Sequence, residues 1–172
     1  MKTNFHSIWR AILLVGITSF LCHGCINAQK QKSHKKESFY PISKTEVQWK
    51  AQLTPEAYDV LRRAGTERPF TGKYNDHKGE GTYHCAGCQA ALYHSKHKFD
   101  SGTGWPSFDR GIEENLELGE DYLLGYRRVE LKCSQCGGHL GHLFNDGPRE
   151  TTGMRHCINS AALEFIPKPT DE

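Results

Sequence analysis

Two Cys-x-x-Cys pairs are the most specific chemical signal in this chain of 172 residues. Cys85 and Cys88 form the first pair, in CAGC, and Cys133 and Cys136 form the second, in CSQCGG. Each short turn can direct two sulfurs at one ion, and four thiolates at about 2.3 Å make a closed tetrahedral zinc site that supports a fold without binding substrate. Disulfides are one alternative, because the chain also carries an export signal. A thioredoxin-like redox pair is another, although the βαβ context that it needs is absent.

Cys157 is the cysteine that remains in the globular part of the chain. If RHCIN is a strand, Arg155, Cys157 and Asn159 share one face, and His156 and Ile158 take the other. A guanidinium beside a thiol lowers the thiol pKa from about 8.5 and favours a nucleophilic thiolate, and an amide can hydrogen-bond a substrate oxygen. A buried structural cysteine is the alternative.

Two histidines follow the second cysteine pair in GGHLGHLFNDGP. This segment predicts a glycine-rich loop that holds His139, His142 and Asp146 near the metal. Since histidine donates protons near neutral pH, either ring is a suitable acid partner for a cysteine nucleophile. Two solvated loop histidines, or a second metal site with Asp146 as third ligand, are the alternatives.

A tryptophan on a predicted rigid turn is a further candidate. Trp105 lies between Gly104 and Pro106 in FDSGTGWPSF. Its aromatic face there could form an apolar pocket for a small alkyl group. The alternative is a tryptophan of the hydrophobic core.

The elements that must position these residues are predicted to be mostly strands. In LTPEAYDVLRRAG, Thr54 can cap a helix, Pro55 suits its first turn and Gly65 can end it. The glycine-dense sequence that follows contains short alternations such as RRVELK, in which Val129 and Leu131 point away from the charged residues. With 37% apolar residues, the chain is long enough for one domain, predicted over 43–169.

Residues 1–28 predict an export signal. Lys2 and Arg10 precede the apolar run AILLVGITSFL, and Ala28 offers a cleavage site. The run is much shorter than the roughly 20 apolar residues of a membrane-spanning helix, and an uncleaved N-terminal anchor is the alternative. In another alternative, Cys25 is the lipid-modified first residue of a bacterial lipoprotein. A redox pair of Cys22 and Cys25 would require that this segment is retained.

Residues 29–42 predict a flexible basic leader, which contains KQKSHKKES. Removal of residues 1–28 takes away two basic residues and no acidic one, so the 22 basic and 20 acidic residues become 20 of each. The remaining chain would then carry no net positive charge from these residues. Nucleic acid is therefore not a predicted partner.

Five segments, in order, resemble the B-type methionine sulfoxide reductases, which reduce the R epimer of methionine sulfoxide in proteins. These segments are LTPEAYDVLRRAGTERPFTGKY, GTYHCAGC, FDSGTGWPSF, CSQCGGHLGHLFNDGPR and RHCINSAALEFIP. The resemblance covers about residues 43–167. It implies a mainly β fold of two antiparallel sheets, of the β-tent type, with short N-terminal helices and one structural zinc ion on the four paired cysteines.

The resemblance also implies roles for the candidate residues. Cys157 corresponds to the nucleophile that attacks the sulfoxide sulfur and becomes a sulfenic acid. His139 and His142 correspond to residues that bind and protonate the sulfoxide oxygen. Trp105 corresponds to the wall for the substrate methyl group, and Phe144 is assigned with it to substrate binding. The supporting positions are Asp146, Arg155 and Asn159.

Two positions depart from the family pattern. Many relatives have cysteine where Thr103 stands, and that cysteine resolves the sulfenic acid as an internal disulfide. Here an external thiol must act instead, which predicts a thioredoxin-like protein, glutaredoxin or a small thiol as reductant. Many relatives have tyrosine where His156 stands, and strand alternation turns His156 away from Cys157, so we assign it no catalytic role.

The sequence thus predicts a thiol-dependent enzyme whose partners are oxidised proteins or peptides and this reductant. We expect a monomer, exported to the bacterial periplasm or cell envelope. The competing hypothesis is a zinc-ribbon-like module that binds nucleic acid or protein without catalysis.

Overall fold

A computed structural model describes residues 39–169. Two helices come first, α1 (Glu46–Gln52) and α2 (Pro55–Arg63). Nine strands follow: β1 (Gly81–Cys85), β2 (Ala91–His94), β3 (Lys98–Phe99), β4 (Ser107–Phe108), β5 (Leu116–Asp121), β6 (Arg128–Cys133), β7 (His139–Phe144), β8 (Arg155–Ile158) and β9 (Leu163–Pro167). Short 3₁₀ turns occupy Ser95–His97, Glu113–Asn115 and Ser160–Ala162.

The strands form two antiparallel sheets. Three strands pair in the order β2-β1-β9, and six pair in the order β3-β4-β8-β7-β6-β5. The predicted mainly β fold with two antiparallel sheets and short N-terminal helices is confirmed. Within residues 39–169, no helix has the length and apolar character needed to cross a membrane. The predicted signal and most of the basic leader lie outside these residues and stay predictions.

The second helix begins as predicted and ends one residue early. The Thr54 hydroxyl accepts a hydrogen bond from the Ala57 amide at 3.2 Å, and Pro55 occupies the first turn. The helix closes at Ala64, which itself adopts a left-handed conformation with φ of 56°, just before the predicted terminator Gly65. Its buried face packs against β7 and the Ser160–Ala162 turn, beside the strand that carries Cys157.

The core lies between the two sheets and contains large aromatic side chains. Tyr83 of β1, Tyr93 of β2 and Phe108 of β4 are fully buried. Tyr93 stacks on Phe108 with ring centroids 4.3 Å apart, and Tyr83 meets the same ring edge-on at 5.2 Å. Such pairs add about 0.5–1.5 kcal/mol each to their burial. The core therefore packs β1 and β2 of the small sheet against β4 of the large sheet.

The histidine segment is a central strand, which makes the predicted glycine-rich loop wrong. Residues His139–Phe144 form β7, which pairs with β6 on one side and β8 on the other. Opposite β6, the register shifts by one residue at Leu140, so this residue forms a β-bulge. Gly141 permits close approach to β8, because a Cβ there would lie 2.0 Å from the Cys157 carbonyl oxygen.

Candidate active site and metal centre

One face of the large sheet carries Cys157 and its neighbours in a row across the strands. Ser107 of β4 pairs with Cys157 of β8, Cys157 pairs with His142 of β7, and His142 pairs with Glu130 of β6. Directly opposed residues project to the same side of an antiparallel sheet. The register alone therefore places a thiol beside an imidazole and that imidazole beside a carboxylate.

The bulge at Leu140 brings His139 to the same face as His142. Regular alternation would send residues three apart along a strand to opposite faces. With the extra residue between them, the two rings instead meet edge to face, with centroids 5.2 Å apart. Sequence spacing alone could not reveal this pairing, because a bulge changes the face to which a side chain points and has no signature in the residue sequence.

Each histidine is held by its own carboxylate. His139 Nδ1 lies 2.7 Å from Glu130 Oε1, and His142 Nε2 lies 2.8 Å from Asp121 Oδ2. Burial is the largest single influence on Glu130 and opposes its ionisation, but the hydrogen bond from His139 and the electrostatic effects of the two histidines and Lys132 together outweigh it and hold the Glu130 pKa below its ordinary value. A hydrogen bond from the Leu123 amide, helped by His142 and Arg128, lowers the Asp121 pKa to about 2. Both carboxylates are therefore charged at neutral pH and orient the rings.

The second ring nitrogen of His139 is the free polar atom of the site. His139 Nε2 is buried and has no hydrogen-bond partner within residues 39–169. A buried donor or acceptor without a partner costs about 1–3 kcal/mol, so a ligand that binds it recovers this energy. For His142, burial is the main cause that lowers the pKa. The second nitrogen of His142 is Nδ1, because its Nε2 is bound to Asp121.

Burial dominates the ionisation of Cys157. Arg155 and the Thr103 hydroxyl both favour the thiolate, but burial outweighs them and leaves the Cys157 pKa above its ordinary value. The predicted fall in pKa is therefore wrong in its net direction, although the predicted effect of Arg155 is present. The resting side chain is a protonated thiol at neutral pH.

Arg155 is fixed by two partners. Its Nε and one terminal nitrogen donate to the two carboxylate oxygens of Asp146 at 2.8 and 2.9 Å. Its guanidinium carbon lies 4.5 Å from the centroid of the Phe144 ring. Two of the residues predicted for this site, Asp146 and Phe144, thus hold the cation that lies near Cys157.

His156 points away from this site, as the strand alternation predicts. Its Nδ1 lies 3.3 Å from the Tyr93 hydroxyl, and its ring meets the Tyr93 ring edge-on. Burial lowers the His156 pKa to about 4, so the ring is neutral at physiological pH. This residue therefore belongs to the core side of β8.

Asn159 contacts backbone groups and not the open face of the sheet. It follows β8 and caps the Ser160–Ala162 turn. Its backbone and side-chain nitrogens both donate to the Leu140 carbonyl at 3.0 Å, and its side-chain oxygen accepts from the Glu67 amide at 3.0 Å. The predicted hydrogen bond from Asn159 to a substrate oxygen is not supported by this arrangement. Asn159 holds the bulge that orients His139.

A buried glutamate, which the sequence analysis did not single out, connects these parts. The Glu67 carboxylate accepts hydrogen bonds from the amides of Ser160 and Ala161 at 2.7 and 2.9 Å. Its backbone carbonyl accepts from the Trp105 indole nitrogen at 3.1 Å. Glu67 is only 6% exposed. Its position in the family segment that contains TERPF was a signal, but nothing in one sequence marks a glutamate as buried.

The four paired cysteines form a candidate metal centre that joins the two sheets. All four sulfurs lie within 4.8 Å of one another. The Cys85 and Cys136 sulfurs are 3.7 Å apart, and those of Cys88 and Cys133 are 3.5 Å apart. Four thiolates about 2.3 Å from one ion have sulfurs roughly 3.8 Å apart, whereas a disulfide needs about 2.05 Å. The donor set therefore fits a tetrahedral metal site, and the disulfide alternative is wrong for this structure.

Comparison with known proteins assigns the chain to a family. A SelR domain matches residues 53–167. A protein of Chromohalobacter salexigens named peptide methionine sulfoxide reductase MsrB is 52% identical over 131 residues, which cover 73% of this chain and 96% of the relative. The chain belongs to the MsrB family. Two further MsrB relatives, from Burkholderia thailandensis and Leifsonia xyli subsp. xyli, are 51% and 52% identical and are covered over 92% and 94% of their lengths.

Alkylation of this MsrB chain tests the ionisation of Cys157. We expect the iodoacetamide reaction rate at Cys157, followed by peptide mass spectrometry, to rise with pH with a midpoint above about 8.5, because burial disfavours the thiolate. Arg155→Met removes a nearby positive charge and should raise the midpoint further. Arg149→Met, at an exposed position, is the matched control and should leave it unchanged. A midpoint below that of a free cysteine would contradict this prediction.

Substitution of Glu67 tests its contribution to stability. Glu67→Gln keeps the shape of the side chain but replaces its carboxylate with an amide. The amide NH₂ group then faces one of the two backbone N–H groups that donate to the carboxylate. Each lost charged hydrogen bond contributes roughly 1.5–3 kcal/mol, so we expect the free energy of unfolding in urea to fall by about 2–4 kcal/mol. Glu80→Gln changes an exposed glutamate and should stay within about 0.5 kcal/mol of the parent chain. Equal free energies of unfolding for the two variants would show that the Glu67 contacts contribute little to stability.

Proposed function

We infer that this chain is a peptide-methionine (R)-S-oxide reductase, which converts methionine R-sulfoxide in peptides and proteins to methionine. Membership of the MsrB family supports the activity. One structural observation carries the assignment of the site: Cys157, His139 and His142 share one face of the large sheet, with a carboxylate behind each ring. A nucleophile and an acid on one face suit a sulfoxide, whose oxygen leaves poorly until it is protonated.

Cys157 is proposed to attack the sulfoxide sulfur. The new bond joins Cys157 Sγ to the substrate sulfur, and the proton that leaves the thiol is carried to the sulfoxide oxygen by one of the two histidine rings, of which His142 is directly opposite Cys157. The oxygen then passes to Cys157, so methionine leaves and the cysteine becomes a sulfenic acid. The substrate gains two electrons and the cysteine loses two. Trp105 and Phe144 are proposed to bound the space for the methyl group, and Asp146 orients Arg155 beside the thiol.

An external thiol is proposed to regenerate the enzyme. Thr103, which stands where many relatives have cysteine, has a hydroxyl that lies 2.8 Å from the Ser101 hydroxyl and near the Cys157 sulfur. A hydroxyl cannot form a disulfide. One thiol therefore condenses with the sulfenic acid to release water, and a second thiol displaces the first as a disulfide. A thioredoxin-like protein, glutaredoxin or a small thiol would serve.

Zinc is the metal we propose for Cys85, Cys88, Cys133 and Cys136. A donor set of four cysteine thiolates fits zinc and closes its tetrahedral coordination. The ion would connect the end of β1 in the small sheet with the end of β6 in the large one. Its role is to support the fold, since all four positions are taken by protein.

Export is the location we propose for this enzyme, in the bacterial periplasm or the cell envelope. The charged start, the apolar run and the small residue at Ala28 support an export signal. Lipid modification at Cys25 would give an attached form of the same protein. A mature chain cleaved after Ala28 would then contain five cysteines, of which Cys157 alone is not in the metal cluster.

The first test of the proposed function is turnover of peptides that carry either the R or the S sulfoxide, with dithiothreitol as reductant. We expect the full chain to reduce the R epimer alone and Cys157→Ser to lose activity by at least about a thousandfold, because the nucleophile is gone. Without reductant, dimedone should label Cys157 after one turnover. Activity on neither epimer by a folded chain would favour the binding module instead.

The second test concerns the metal. We expect about one zinc ion per chain by elemental analysis, and removal by a chelator should lower the unfolding temperature, since metal binding contributes to folding. Cys88→Ser should reduce metal content and stability together. Cys157→Ser is the matched control, because it removes a thiol outside the metal cluster and should keep the full metal content. A stable chain without any metal would contradict this proposal.

A further inference from the structure

The turn between β5 and β6 presents an exposed apolar surface. Tyr122, Leu123, Leu124 and Tyr126 have exposed fractions of 59%, 78%, 58% and 59%. Turns are ordinarily rich in small and polar residues, and neighbouring exposed apolar side chains mark interaction surfaces. We refer to these four residues as the hairpin tip.

The hairpin tip is ordered by its own hydrogen bonds. The Gly125 amide donates to the Tyr122 carbonyl at 2.9 Å, and Gly125 takes a φ of 82° that favours glycine. The Leu123 amide donates to Asp121 Oδ1 at 2.7 Å. A surface already held in one conformation loses less entropy when it binds a partner.

Asp121 connects the hairpin tip directly with the candidate active site. One of its carboxylate oxygens accepts from the Leu123 amide, and the other is 2.8 Å from His142 Nε2. Cys157 is opposite His142 and His142 is opposite Glu130, which gives a lateral separation of roughly 10 Å at about 4.8 Å per strand. Tyr126 lies four residues from Glu130, which adds about 13 Å along the strand direction at roughly 3.3 Å per residue. The separation is then about 16 Å, so the tip is within reach of substrate residues about five positions from the reacting methionine.

The charges around the hairpin tip favour an apolar partner. Arg127 is paired with Glu120 at 2.7 Å, and Arg128 is paired with Asp121. The two arginines that flank the tip are therefore balanced by neighbouring carboxylates. An anionic surface would gain little binding energy from these paired arginines. Apolar side chains of a partner would instead cover the exposed leucine side chains and tyrosine rings.

We propose that the hairpin tip binds apolar residues of the oxidised polypeptide substrate, about five positions from its sulfoxide. The enzyme would then select methionine sulfoxides in apolar segments, which unfolding exposes. This proposal rests on the proposed reductase function and adds a substrate preference to it. The tip would contribute to KM and not to the chemical step, since it does not touch the reacting atoms.

The test compares three R-sulfoxide substrates: a peptide with leucines about four to six positions from the sulfoxide, the same peptide with serines there, and a capped single residue. We expect kcat/KM to be about tenfold higher for the leucine peptide than for the serine peptide. The double variant Leu124→Ser, Tyr126→Ser should remove this preference through KM and leave the other two substrates unchanged. Val47→Ser, at a residue of α1 that is 76% exposed, is the matched control.

The outcomes separate this proposal from the proposed function. If the parent chain reduces R-sulfoxide but treats both peptides alike, the hairpin tip is not a substrate surface and the reductase function stands. If no substrate is reduced, the reductase function itself fails. Tip-dependent binding to vesicles of phosphatidylcholine and phosphatidylglycerol, without any peptide preference, would assign the tip to a membrane surface and overturn the proposal. Equal unfolding temperatures of the variants confirm that the comparison is between folded proteins.

Discussion

The β-bulge at Leu140 is the constraint on which the candidate site depends. An extra residue in β7 allows His139 and His142 to share a face that already holds Cys157 and Glu130. A bulge leaves backbone groups unpaired in the ladder, and here the Leu140 carbonyl accepts two hydrogen bonds from Asn159. Asn159, two positions after Cys157, thus fixes the strand that carries His139 and His142. The proposed nucleophile and the proposed acid are positioned by the same local contacts.

Glu67 extends this arrangement to Trp105. A buried carboxylate is costly unless it is hydrogen-bonded, and two amides of the Ser160–Ala162 turn satisfy it. Because its own backbone also binds Asn159 and the Trp105 indole, the segment before the large sheet connects the bulge with the aromatic ring. The metal cluster acts at a different place, where β1 and β6 end. Two separate sets of contacts therefore hold the sheets and the site.

The sequence alone predicted the residue types of the site better than their geometry. The cysteines of each pair converge because a Cys-x-x-Cys turn is a local structure. The helix cap at Thr54 is also local. Both could therefore be predicted from residues close together in the sequence. The strand at His139–Phe144 was predicted to be a loop, because glycine in a sequence usually indicates a flexible segment. In the structure, Gly141 instead allows β8 to pack closely against β7. The Cys157 pKa was predicted in the wrong direction because it depends on burial, which only the fold determines. Glu67 was missed for the same reason.

A protonated Cys157 is consistent with the proton balance of the proposed reaction. A thiol and a sulfoxide together contain every atom of the sulfenic acid and the methionine that they form, so the first half-reaction needs no net proton from solvent. The thiol proton must leave sulfur as the new bond forms, and the sulfoxide oxygen must receive one. The two rings, each held by an ionised carboxylate, are suited to carry it across, and His142 is directly opposite Cys157 in the sheet. Partial burial of Cys157 keeps the resting thiol protonated, while the histidine rings supply the means to activate it.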